Sequence, residues 1–125
     1  MRYSLEVYLN DRLVFHSNGK WLYPLFELEQ FIEKSGHDPK QFLVKDKIIG
    51  KAAAMILIHL GIRHIEAGIM SEVAQAALES HQIDYSYGHL VDKIKCRTES
   101  LLSEEMDPGK TYDTIREIAE KAKNK

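Results

Sequence analysis

Asp46-Lys47-Ile48-Ile49-Gly50-Lys51 concentrates more chemistry than any other stretch of the chain. Asp46 is of the residue type that caps helix N-termini, and the apolar residues after it run to Leu60 before Gly61 stops them. With the helix starting there, Lys47 falls in the first turn, where a positive charge opposes the helix dipole by roughly a few tenths of a kcal/mol. A bound anion would remove that conflict, with Gly50 giving backbone access and Lys51 a second cation. The plainer alternative has Lys47 pointing into water and Lys51 snorkelling. The pair Gly50-Lys51 does not make a phosphate-binding P-loop: residue 45 is lysine where the first glycine is required, and residue 52 is alanine where serine or threonine is required.

Other groups carry weaker signals. Ser71-Glu72 could aim a hydroxyl and backbone N–H groups at a ligand, or could be ordinary helix capping. Cys96-Arg97 is the one thiol, beside a permanent positive charge that can lower its pKa toward a nucleophile or redox sensor; lone buried cysteines are otherwise inert. His64-Ile65-Glu66 spells the His-x-Glu of zinc deaminases. It falls in a predicted strand rather than at a helix start, and one cysteine cannot supply the Pro-Cys-x-x-Cys partner. The other histidines, at 16, 37, 59, 81 and 89, show no spacing that puts two on one helix face, so no metal site is expected. Tyr85, Tyr87 and Trp21 could stack on a base, or fill a core or a subunit contact.

The elements that must position these residues follow from periodicity. Leu5, Val7 and Leu9 alternate, Asn10-Asp11 offers turn chemistry, and Leu13-Val14-Phe15 follows, which predicts a hairpin. Leu22, Leu25, Phe26, Leu28, Phe31 and Ile32 recur at helical steps, with Pro24 near the first turn and Ser35-Gly36 at the end. Phe42-Leu43-Val44 reads as a short strand, and the helix from Asp46 to Leu60 is apolar nearly all round, so it must be enclosed. Ile62 to Ile69 reads as a central strand, Ser71 as the cap of a helix through Leu78, and Ile83, Tyr85 and Tyr87 as another strand turned by Gly88. Leu90, Val91 and Ile94 suggest a short helical piece ending near Cys96. Asp107-Pro108 opens a last helix with an apolar stripe of Tyr112, Ile115, Ile118, Ala119 and Ala122, and a charged face that includes Arg116, Glu117 and Glu120.

A hairpin followed by alternating helices and strands implies an α/β fold, a three-layer α-β-α arrangement around a mixed five-stranded sheet. Ligands on such sheets gather at the strand C-terminal ends, which puts a site at two helix N-termini, near residues 45–51 and 70–73.

The chain has 125 residues, with 17 Lys plus Arg against 19 Asp plus Glu and a formal charge of -2. That length suits a single domain spanning 1–125 with one core. The charge balance and the lack of a basic run argue against nucleic acid as a partner. The apolar stretch from Ala52 to Leu60 is far short of the ~20 residues a bilayer crossing needs. The N-terminus shows no export signal and Cys96 has no disulfide partner, so a cytoplasmic location is expected.

The run Asp46-Lys47-Ile48-Ile49-Gly50-Lys51-Ala52-Ala53-Ala54, with Ile69-Met70-Ser71-Glu72 and the small-residue helix Ala74-Ala76-Ala77-Leu78, resembles a family of uncharacterised prokaryotic proteins classed as a domain of unknown function. The resemblance extends from about Leu5 to Ile118. It implies a cytidine deaminase-like fold in which the zinc ligands of the wider superfamily come from the starts of the second and third helices. Here those neighbourhoods carry no ligand set, and Ser71 and Ala74 stand at the spacing of the two deaminase cysteines. Relatives tend to have Asn-Arg and then Cys-Pro after the fifth strand; Cys96-Arg97 keeps the arginine alone.

Three functions compete. The leading one is a metal-free, cofactor-free pocket for a small anionic or nucleotide-like ligand, built from Asp46, Lys47, Gly50, Lys51, Ser71, Glu72, Cys96 and Arg97. The second is a zinc-independent enzyme using Lys51 or Cys96. The third is a structural or interaction protein that forms homo-oligomers.

Overall fold

The computed structural model describes residues 2–94 and 105–123. Strand β1 (Leu5–Leu9) turns into β2 (Arg12–Ser17) through Asn10 and Asp11, at φ 52° and 65°. A two-residue hairpin whose twist matches its strands needs left-handed backbone at both positions, and Asn and Asp tolerate it. Helix α1 (Tyr23–Ser35) has Pro24 in its first turn and closes at Gly36, φ 72°, whose N–H donates to the Ile32 carbonyl. Then come β3 (Leu43–Ile49), α2 (Lys51–His59), β4 (His64–Ser71), α3 (Glu72–Ser80), β5 (Asp84–Val91) and α4 (Pro108–Lys123). Asp107 caps α4 by accepting the N–H groups of Gly109 and Lys110.

The sheet order is β2-β1-β3-β4-β5, with β1 antiparallel to both neighbours and β3, β4 and β5 parallel. The fold is therefore the α/β class with a mixed five-stranded sheet that the sequence implies. The crossovers through α1, α2 and α3 all step the same way along the sheet, and right-handed crossovers then place all three helices on one face. Phe31 of α1 meets Phe15 of β2 and Phe42 on that face. Helix α4 rests on α1 and α2: Tyr112 stacks on His59 of α2 at 4.5 Å, and its hydroxyl donates to Glu29 of α1 at 2.7 Å.

The core forms where Leu5, Val7, Val44, Ile65 and Met70 of the sheet meet Leu25, Leu28, Ile56, Leu57 and Leu78 of the helices. Helix α2 is buried from Lys51 through Leu57, the enclosure its all-round apolar sequence requires. No helix among the described residues is long and apolar enough to cross a membrane.

Two boundaries differ from the sequence reading. Asp46 to Ile49 do not open α2; they complete β3 beside β4, and of these residues Asp46 alone also stands in register with β1. Helix α2 begins at Lys51 with Gly50 as its N-cap. Val44, Ile48 and Ile49 suit a strand, and pairing with β4 along this stretch outweighs the capping preference of Asp46. Likewise Gly88 does not turn the chain but lies within β5, which runs through Leu90 to Val91 where a short helix was expected. A Cβ on Gly88 would stand 2.9 Å from the Gly68 carbonyl oxygen, so this glycine serves a close approach between strands.

Candidate functional site

The sheet has a step in its C-terminal edge. Leu5 pairs with both Ser17 and Asp46, so the β1–β2 hairpin stops level with Asp46. The last link is the Lys47 N–H donating to the Ser4 carbonyl at 3.2 Å. Strands β3, β4 and β5 continue past it to Ile49, Ser71 and Val91. The loop from Ser17 into α1 is tied down at the step: the Ser4 hydroxyl donates to the carbonyls of Ser17 (2.7 Å) and Gly19 (3.2 Å), and the Ser4 N–H donates to Asn18 Oδ1 at 3.3 Å. Trp21, at φ 57° and 40% exposed, stands edge-on to Tyr23 at the start of α1.

Strand alternation decides where Asp46 points. Val44 is fully buried under the helices, whereas Lys45 faces outward, 3.4 Å from Glu66 and over the Tyr8 ring. Asp46 therefore faces the helix layer, flanked in register by buried Leu5 and Ala67. Desolvation pushes its pKa up to about 7, against the N–H groups of Ile48 and Lys47, which stabilise the carboxylate. The residue as a whole is partly rather than fully buried. A group divided between acid and carboxylate near neutral pH, at the open step of a sheet, can exchange a proton with a ligand.

Ile49 pairs with Met70, which sets Gly50 and Ser71 side by side on neighbouring parallel strands. Helices α2 and α3 thus begin together at one edge, as the strand and helix alternation implies. Their first turns differ. The fully buried Ser71 hydroxyl accepts the Ala74 N–H at 3.1 Å, and exposed Glu72 supplies an acid to the α3 N-terminus, so both residues serve capping. Helix α2 has neither a side-chain cap nor an acid in its first turn, and α1 shares both features.

The structure divides the expected site residues. Asp46, Lys47, Gly50, Lys51, Ser71 and Glu72 all stand at this edge, yet Lys47 is exposed within a strand, so the expected conflict with a helix dipole does not arise. Lys51 is 4% exposed and lines a cavity of about 170 Å³ between α2 and α3, with Met55, Val73, Ala77, His81 and Met106. A larger hollow of about 450 Å³ lies between α1 and α4, lined by Tyr23, Phe26, Glu27, Gln30, Arg116 and Glu120. Cys96 and Arg97 lie outside the described residues.

His64 and Glu66 both face outward, paired with Asp84 and Lys45. Among the described residues no three His, Cys, Asp or Glu side chains converge where they could hold a metal ion. The sequence reading missed the Ser4, Ser17 and Asn18 loop anchors, which signal only through pairing with a distant strand. It also missed the uncapped start of α1, visible in the sequence as Trp21-Leu22 where Ser, Thr, Asp or Asn would cap.

Residues 2–119 match the model of a domain of unknown function, DUF1893. The chain is also similar to the solved structure of a DUF1893 family protein from Thermotoga maritima, with 28% identity and a TM-score of 0.80. That similarity covers 91% of this chain and 79% of the Thermotoga chain. No curated protein matches significantly.

Proposed function

The chain belongs to the DUF1893 family, and on that footing we propose that it binds a small anionic or nucleotide-like molecule, without a metal, at the stepped C-terminal edge of β3 and β4. The observation that carries this reading is the start of α2. Its first-turn N–H groups have no side-chain cap and no acid, and Asp46, in β3 four residues before Gly50, carries a carboxyl whose pKa lies near neutrality. An anion there gains about 0.3 to 1 kcal/mol from the helix dipole in addition to its hydrogen bonds. Protonated Asp46 can donate to an acceptor on the same ligand. On this reading the fold is of the cytidine deaminase-like kind with its metal motif absent, and the protein works in the reducing cytoplasm.

Gly50→Asp tests the site directly. Gly50 has extended backbone, φ -95°, which any residue adopts, so an aspartate there can cap α2 from within the chain. The variant should gain a few tenths of a kcal/mol of stability, on the order known for such caps. It should also lose the rise in Tm that inorganic phosphate or AMP produces in the wild-type protein. A wild-type protein that neither ligand stabilises, or a Gly50→Asp variant that both still stabilise, would sink the reading.

Asp46 supports one further reading, a metal-independent enzyme in which this carboxyl moves a proton on the bound molecule. Turnover of a ligand found by native mass spectrometry, lost in Asp46→Asn while binding persists, would distinguish enzyme from binding protein.

A further inference from the structure

The hollow of about 450 Å³ between α1 and α4 has the size and the mixed walls of a small-molecule site. Tyr23, Phe26, Glu27 and Gln30 recur at steps of three and four, so one face of α1 makes the first wall. Arg116, Ala119 and Glu120 make the second from α4 in the same way. Arg116 is held in an unusual manner. Its guanidinium lies 5.1 Å from the centre of the Phe26 ring and 3.6 Å from carboxylate oxygens of both Glu29 and Glu120. Those separations position it by charge but exceed hydrogen-bond length, so its fork of N–H donors, with the side chain 42% exposed, is set to receive a carboxylate from outside the chain. A simple anion does not suit the walls, because Glu27, Glu29 and Glu120 outnumber this one cation. Glu27, exposed on the opposite wall, has neither a hydrogen bond nor an ion pair with another described residue.

We propose that this hollow binds a free α-amino acid with an apolar side chain, its carboxylate on Arg116, its ammonium on Glu27 and its side chain against Tyr23, Phe26 and Ala119. A zwitterion brings one charge for each wall and leaves the local charge balance unchanged. Arg116 presents a planar fork to the carboxylate, and Glu27 accepts up to two of the ammonium N–H groups. The aromatic and alanine surface between them takes the apolar part of the ligand out of water. This site is independent of the start of α2, since its walls include none of Asp46, Gly50 and Ser71.

Calorimetric titration of the full chain with L-phenylalanine tests it, beside phenethylamine, which lacks the carboxylate, and 3-phenylpropanoate, which lacks the ammonium. Phenylalanine should bind roughly tenfold or more tightly than either, the scale of one hydrogen-bonded charge contact. Arg116→Gln should weaken phenylalanine by a similar factor while phenethylamine binds no more weakly. Glu27→Gln should weaken phenylalanine while 3-phenylpropanoate binds no more weakly. That crossed pattern reads the two charges separately, and a general loss of structure would not produce it. Glu117→Gln, whose carboxylate pairs with Lys121 instead, should change nothing. Should Arg116→Gln loosen α4, Glu27→Gln still decides, because that carboxylate holds no other described residue. Absence of phenylalanine binding overturns the proposal. So does a truncated probe that binds as tightly as phenylalanine, or a phenylalanine affinity that Glu27→Gln leaves intact.

Discussion

Asp46 shows how one side chain can serve in a strand and bear a cost there. Its folded-state pKa of about 7 lies above the unfolded value near 3.8. The folded protein therefore holds this proton more tightly, and ionising Asp46 costs stability as pH rises between the two values. The term is absent below about pH 4 and fully developed above about pH 7. Asp46→Asn keeps an acceptor for the Lys47 and Ile48 N–H groups and cannot ionise. We expect it to be more stable than wild type at pH 8 by about 1 to 2 kcal/mol, a figure discounted for partial exposure, and equal to it near pH 4. Urea unfolding at both pH values checks this, and a constant difference between them would show that Asp46 does not titrate there. Tyr112 illustrates the same physics outside the site: burial and its bond to Glu29 raise its pKa to about 12, so it stays protonated and holds α4 on α1.

Two adjacent helix starts at the same sheet edge are finished differently. Helix α3 carries its own cap, and Ser71→Ala should cost about 1 kcal/mol, within the range of 0.5 to 2 typical for such caps. A chevron analysis or equilibrium melt reads that loss directly; no loss would mean that Ala74 N–H finds another acceptor. Helix α2 has only Gly50. Its residue types reveal the enclosed helix, because Ala52 through Leu57 leave no polar face. They do not reveal its start, because Asp46-Lys47-Ile48-Ile49 suits both a capped helix and a strand. The hairpin, α1, the Ser71 cap and the Asp107 cap were all legible, since each rests on local chemistry. Gly88 was misread for the same reason Asp46 was: its requirement comes from Gly68 on the next strand, remote in sequence.

At the scale of the molecule, one core ties the sheet to α1, α2 and α3, and α4 closes over α1 and α2 with Ile115 and Ala119 buried beneath it. Leu57, fully buried in the middle of α2, tests how much rests on that enclosure. Leu57→Ala should cost about 2 to 5 kcal/mol, measured as a fall in the urea midpoint with an unchanged slope. A cost below that range would mean that α2 can shift to fill the space, as a loosely held helix would.

The sequence by itself determined the α/β class, the mixed sheet, most helices, the enclosure of α2 and the edge at which Asp46, Gly50 and Ser71 gather. Those features follow from side-chain period and from capping chemistry within a few residues. The tertiary structure alone decided that Asp46 is a strand residue facing the helices, that Lys47 opposes no dipole, that Ser71 is spent on its own helix, and that β5 stands last in the sheet order. Each of these depends on which strands lie side by side, and register between strands is a property of the assembled sheet rather than of any one segment.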